Sequence, residues 1–172
     1  MARFAFIIDE MFEDSEFRVP YDGVRQAGHE AVIVGLSSGK KLEGKKGKEN
    51  ITTDVSIDEV TPEEFDALVI PGGYSPDKIR GNEKMVELTR SIFQASKPVA
   101  AICHAGWMLA EADLIRGRTL TSWPSIRTDL VNAGANWIDQ EVVEDDNLIT
   151  SRKPDDLNAF TKALLAQVEQ RS

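Results

Sequence analysis

Val99-Ala-Ala-Ile-Cys-His-Ala-Gly-Trp107 is the stretch from which the fold can be read. Pro98 opens a short apolar run, the pattern of a buried strand. Met108-Leu-Ala-Glu-Ala112 follows at once and is rich in helix formers. A strand therefore runs straight into a helix, with Cys103 and His104 at the joint. Cys103 is the single cysteine of the chain and His104 one of two histidines. Such a joint holds a side chain out from the end of a sheet, beside backbone N–H groups and the positive end of a helix dipole. A thiol in that setting can ionise near neutral pH. A lone cysteine is otherwise a small core hydrophobe, so the surroundings must decide.

Working outward, Phe4-Ala-Phe-Ile-Ile8, Ala31-Val-Ile-Val34 and Ala67-Leu-Val-Ile70 repeat the buried-strand pattern, and Thr119-Leu-Thr-Ser122 reads as a fifth strand of the sheet. Between them lie helical faces. Ser15 is placed to cap a helix carrying Phe17, Tyr21, Val24 and Ala27, which Gly28 ends. Asn82 is placed to cap the next, with Met85, Leu88 and Ile92 on its buried side. Ser125–Ala133 reads as a short helix, and a last one follows Asp155-Asp156. Residues 36–57 break the alternation. Glycines and Lys40, Lys41, Lys45, Lys46 and Lys48 indicate a hairpin whose lysines guard a solvated edge. Val142-Val143 and Leu148-Ile149 suggest a second hairpin, which also takes in Trp137. Alternating strands and helices predict an α/β fold: a mostly parallel sheet with helices on both faces.

The totals narrow the function. A chain of 172 residues suits one domain, 1–172. The net charge of −9 argues against nucleic acid or an anionic membrane as a partner. One cysteine forms no internal disulfide, which fits a cytoplasmic protein. No run is long enough for a transmembrane helix, and the apolar N-terminus is too short for a signal peptide. One cysteine and two histidines lack the spacing of a metal site, and Gly72-Gly73 lacks the lysine of a phosphate loop.

In parallel sheets, sites form beyond the carboxyl ends of the strands. Three loops leave such ends with useful chemistry: Asp9–Asp14, Pro71–Asp77 and Cys103–Trp107. Taken together they offer Cys103 as nucleophile, the N–H groups of Gly73 and His104 as oxyanion donors, and Glu13 as a thiol partner. Glu13 helps a thiolate only if it keeps its proton and donates it, so its pKa would have to be raised.

Phe12-Glu-Asp-Ser-Glu16, Glu63–Gly73, Lys97–His104, Leu114–Arg118, Asp129–Ala135, Glu141–Val143 and Ser151–Leu157 follow one another along nearly the whole chain. In these segments and in their order the chain resembles the ThiJ/PfpI superfamily, closest to its PfpI-type intracellular protease and general stress protein branch. The resemblance implies a flavodoxin-like three-layer sandwich of the class I glutamine amidotransferase-like kind, with the cysteine on a strained nucleophile elbow. It places Cys103 at the nucleophile, Glu13 at the thiol partner, His104 at the adjacent histidine, and Gly73 with the His104 amide at the oxyanion hole. Asp77 stands where the protease branch has a triad glutamate that crosses a subunit interface. Gly72, Tyr74, Ala105, Trp107 and Trp123 fall around the pocket. The family's Gly-Lys-His-Gly hairpin reads Gly44-Lys-Lys-Gly47, and Cys-His-Gly-Pro reads Cys103-His-Ala-Gly.

The expected function is a stress-protective, cysteine-dependent hydrolase or lyase acting on small reactive carbonyls or glycated proteins, without a cofactor. The alternatives are an oxidative-stress sensor working through Cys103 oxidation and a PfpI-type peptidase. The family habit implies a homo-oligomer, a dimer or larger.

Overall fold

Short runs of β-branched and aromatic residues form strands because their side chains fill both faces of a pleated sheet. The computed structural model describes residues 1–171. The strands are β1 (Arg3–Ile7), β2 (Glu30–Gly35), β3 (Lys41–Glu43), β4 (Asn50–Thr52), β5 (Val55–Ser56), β6 (Ala67–Ile70), β7 (Val99–Ile102), β8 (Thr119–Leu120), β9 (Asn136–Trp137), β10 (Val142–Asp145) and β11 (Leu148–Ser151). The α-helices are α1 (Asp14–Gln26), α2 (Ser75–Ile79), α3 (Glu83–Gln94), α4 (Gly106–Glu111), α5 (Arg127–Asn132) and α6 (Leu157–Arg171). Among the described residues a seven-stranded sheet runs in the order β10-β11-β7-β6-β1-β2-β5, parallel except for the β10–β11 hairpin.

The period of two sorts each strand between two cores. Phe4, Phe6, Val69, Ala100 and Ile102 pack with Phe17 and Val24 of α1 and with Phe160 and Leu164 of α6. Ala5, Ile7, Leu68, Ile70 and Ala101 pack on the other face with Met85 and Ile92 of α3 and with Met108 and Leu109 of α4. Phe4, Phe6, Phe17 and Phe160 are fully buried, each stabilising the fold by about 2–3 kcal/mol relative to exposure. The result is the flavodoxin-like sandwich. Among the described residues no helix is long and apolar enough to cross a membrane.

The topology locates the site. From β1 the chain moves outward to β2 and β5, then crosses to β6 and β7 on the other side. The direction of winding therefore reverses between β1 and β6, which opens a crevice at their carboxyl ends. The loops after β1, β6 and β7 all emerge there.

Two local expectations are corrected and a third is extended. Thr119–Leu120 is not a strand of the main sheet; it pairs with Asn136–Trp137 in a separate two-stranded sheet, and Trp137 belongs there and not in the following hairpin. The Thr119 N–H donates to Asp145 Oδ2 and the Thr121 N–H to Thr150 Oγ1, so side chains of β10 and β11 take donors that a ladder would have used. Helix α1 begins at Asp14, with Glu13 and not Ser15 as the preceding cap residue. The hairpin β3–β4 forms as expected with its lysines exposed, and its loop is in addition tied to the start of α1. Asp14 accepts the N–H of Lys46 on Oδ1 and those of Lys48 and Glu49 on Oδ2, each at 2.9 Å, and ties the loop to the first turn of α1. Burial opposes the charge on Asp14, but these donors outweigh it and hold its carboxyl below the ordinary value.

Candidate active site

Four buried residues of β7 end at Cys103, whose φ of 63° lies in the left-handed region. For a side chain larger than glycine this costs about 1–2 kcal/mol. A single 3₁₀ turn, Cys103–Ala105, leads into α4. The Cys103 carbonyl accepts the Trp123 N–H at 3.2 Å, which anchors the turn. The thiol is 6% exposed and lies in the core layer shared with α1 and Phe12.

Gly72 and Gly73 close the crevice from β6. A Cβ on Gly72 would stand 2.4 Å from Glu16 Oε1 and 2.8 Å from Cys103 Cβ, so only glycine leaves room for both side chains. Gly73 has φ +81°, and a Cβ there would meet the Glu13 nitrogen at 2.4 Å. The backbone N–H groups of Gly73 and His104 face the sulfur and favour its charged form.

The carboxyl beside the thiol is Glu16, not Glu13. Glu16 has no exposed surface. Its Oε1 accepts the Gly72 N–H at 2.9 Å. Its Oε2 is buried without a nitrogen or oxygen partner, and the neighbouring hydrogen-bonding group is the Cys103 thiol. Burial, reinforced by the charge of Glu13, raises the Glu16 carboxyl to about 8. Glu13 is occupied elsewhere. Lys45 Nζ lies 2.9 Å from its Oε2 and Lys46 Nζ 3.0 Å from its Oε1. Helix phase is the reason: Glu16 shares the buried face of α1 with Pro20 and Val24, four and eight residues on, while Glu13 precedes the helix. That spacing was the available signal for Glu16. None in the sequence pointed to the lysines, whose approach depends on the folded hairpin.

His104 is half-buried, with Nδ1 3.2 Å from Cys103 Sγ. Burial and then the charge of Lys45 lower its pKa, so the ring is neutral at pH 7 and has a lone pair for the thiol proton. Its ring stacks on Trp123 at 6.3 Å between centroids and meets Trp107 edge-on at 5.2 Å. Trp107 Nε1–H donates to Asp129 Oδ2 at 2.9 Å, which sets its orientation. Tyr74 is 60% exposed beneath the Lys45 ammonium, 5.8 Å from its ring centre.

Two assigned positions do not reach the crevice in this chain. Ala105 is fully buried in the core layer of α3 and α4, because the 3₁₀ turn points it beneath the sheet. Asp77 lies exposed on α2 and lines a surface cavity with Arg80, Lys84 and Glu111; within the chain it bonds neither ring nitrogen of His104.

Burial raises the Cys103 thiol, and the Glu16 carboxylate raises it further; the N–H groups of His104 and Gly73 and the charge of Lys45 pull it down. With Glu16 protonated at neutral pH the repulsion gives way to a hydrogen-bond donor. The arrangement sets a thiol beside an uncharged ring nitrogen, a buried carboxyl and two fixed N–H donors.

Fold and crevice define a class: a doubly wound α/β protein with a cysteine on a strand-to-helix elbow at the topological switch point. A model of the DJ-1/PfpI family matches residues 2–167, and the chain belongs to that family. Protein/nucleic acid deglycase 2 of Escherichia coli K12 is 52% identical over 164 residues, 95% of this chain and 95% of the relative. General stress protein 18 of Bacillus subtilis is 43% identical over 169 residues, 98% of each. A crystal structure of a two-domain protein from Anabaena variabilis, with DJ-1/ThiJ/PfpI-like and ferritin-like domains, superposes with a TM-score of 0.97 at 41% identity. That match covers 98% of this chain and 48% of the larger protein, so the chain spans about half its length.

Proposed function

We propose that this chain, as one domain, is a stress-protective, cysteine-dependent enzyme acting on reactive carbonyls or on their adducts with proteins. The observation that carries the reading is the Cys103 elbow, set between the His104 ring nitrogen at 3.2 Å and the buried Glu16 carboxyl. The naming of the Escherichia coli relative as a deglycase and of the Bacillus subtilis relative as a stress protein supports it.

For a 2-oxoaldehyde the steps balance without an oxidant or a cofactor. His104 Nδ1 takes the thiol proton as sulfur attacks the aldehyde carbon. The N–H groups of Gly73 and His104 hold the resulting oxyanion. Protonation of that oxygen gives a hemithioacetal. Transfer of the C1 proton to the neighbouring carbonyl carbon, with Glu16 and His104 relaying protons, gives a 2-hydroxy thioester. Water cleaves the thioester and returns the thiol, so one water is consumed and a 2-hydroxy acid leaves. On a hemiaminal formed with a side-chain amine, sulfur forms its bond to the same carbon as the C–N bond breaks, the thiol proton passes through His104 to the leaving amine, and the same hemithioacetal results.

The test is turnover of methylglyoxal, and release from a glycated peptide, by wild type and Cys103→Ala. Loss of turnover in the variant is expected; equal rates overturn the thiol route.

One observation favours a second reading, a sensor of oxidative stress. Glu16 Oε2 has no nitrogen or oxygen partner, so its proton is available to an oxidised sulfur, and a sulfinate there would be held by that hydrogen bond. Mass spectrometry after mild peroxide checks it; Cys103 oxidation no faster than that of free cysteine removes it. The reading also takes the protein to be a cytoplasmic homo-oligomer, in which Asp77 of a neighbouring copy would be free to approach His104.

A further inference from the structure

We propose that Lys45 is a positioning residue for the nucleophile: held by Glu13 and the Tyr74 ring, its ammonium supplies the positive charge that offsets a Cys103 thiolate. This rests on the reading of Cys103 as a reactive nucleophile and adds a residue that neither the elbow nor the oxyanion donors account for.

The first support is placement. The Lys45 N–H donates to the Phe12 carbonyl at 2.8 Å, and Phe12 bridges to Gly73. The next residues of the hairpin loop are pinned to Asp14 through the N–H groups of Lys46, Lys48 and Glu49. A Cβ on Gly44, just before Lys45, would stand 2.3 Å from Asp14 Oδ2, so the loop lies flat on the start of α1. The Lys45 backbone is therefore fixed on both sides. Its Nζ is fixed by Glu13 Oε2 at 2.9 Å and by the Tyr74 ring at 5.8 Å. A charge held this way costs no reorganisation when sulfur ionises.

The second support is the set of charges. The titratable and charged groups of the cluster are Glu16 and Asp14 from α1, His104 from the turn of Cys103, Glu13 from the loop after β1, and Lys45 from the hairpin, with Lys46 on the other oxygen of Glu13. At neutral pH Glu16 keeps its proton and His104 is uncharged. Asp14 is spent on the backbone N–H groups of Lys46, Lys48 and Glu49, and Glu13 on the two ammonium groups. Of these charges the Lys45 ammonium is the one that favours a thiolate at Cys103.

The third support is depth. The Lys45 side chain is 31% exposed and that of Lys46 52%. Water screens the outer lysine more strongly, and the inner one bears on all three titrating groups, Cys103, Glu16 and His104. Glu13 thus serves the nucleophile through its counter-ion.

The experiment is the pH dependence of Cys103 alkylation by iodoacetamide in the folded full chain, with the fold checked by circular dichroism. Lys45→Met is expected to move the ionisation midpoint up by about one pH unit, or about tenfold in rate at neutral pH. Lys45→Arg is expected to stay within about threefold of wild type, and so is Lys46→Met. A Lys45→Met profile that superimposes on wild type overturns the proposal, as does an equal shift in Lys46→Met. Lys45→Gln carries the same expectation if the methionine variant does not fold. A wild-type thiol that resists alkylation at every pH tested overturns the nucleophile reading itself, and this proposal with it; a reactive thiol indifferent to Lys45 overturns this proposal alone.

Discussion

Glutamine at position 16 keeps the shape of the carboxyl, the acceptor for the Gly72 N–H and a donor toward Cys103, and removes only the ionisation. In the folded protein burial, with Glu13 beside it, raises the Glu16 carboxyl from its ordinary value of 4.5 to about 8. The folded pKa is the raised one, so the native state keeps a proton that the unfolded chain has released. The stability tied to that proton is fully present below the unfolded value and is lost as pH rises through the folded one. Each pH unit inside the window removes about 1.4 kcal/mol, and the whole window amounts to about 5 kcal/mol. Urea unfolding of wild type and Glu16→Gln, at fixed salt and at about pH 5.5, 6.5 and 7.5, reads this directly. The variant should gain on wild type by about 2–3 kcal/mol between the lowest and highest of these values. A difference that stays constant within about 0.5 kcal/mol would refute a protonated Glu16 in the native state.

Three further outcomes are expected. Gly72→Ala places a methyl group against Glu16 and Cys103; it should cost about 1–3 kcal/mol of stability and slow alkylation of the thiol. Asp14→Ala leaves the N–H groups of Lys46, Lys48 and Glu49 without their acceptor. A loss of about 2–4 kcal/mol in urea unfolding at pH 7 is expected, shrinking in acid as the wild-type carboxylate is protonated; no change at pH 7 would show that the loop is held otherwise. The lowered pKa of His104 predicts that the acid limb of the turnover profile has its midpoint below the ordinary value of 6.5. A limb at or above that value would assign it to another group.

The elbow was legible because its parts are contiguous: an apolar run, one cysteine and a helix former leave few geometries. The sandwich was legible for a similar reason, since a period of two inside each run and helical spacing between runs prescribe two covered faces. Thr119–Leu120 was misplaced because its composition suits a strand anywhere, and Asp145 and Thr150 claim its donors only after the hairpin has docked.

By itself the sequence determined that a thiol would stand on a strand-to-helix turn at the end of a parallel sheet, beside two glycines that let the backbone come close. Only the tertiary structure decided which acid meets it. Glu13 and Glu16 are three residues apart and chemically alike, but the phase of α1 buries one against the sulfur while the hairpin brings Lys45 and Lys46 onto the other. Burial and charge pairing are properties of what surrounds a side chain, and that surface is assembled from α1, β6, β7 and a loop some thirty residues away.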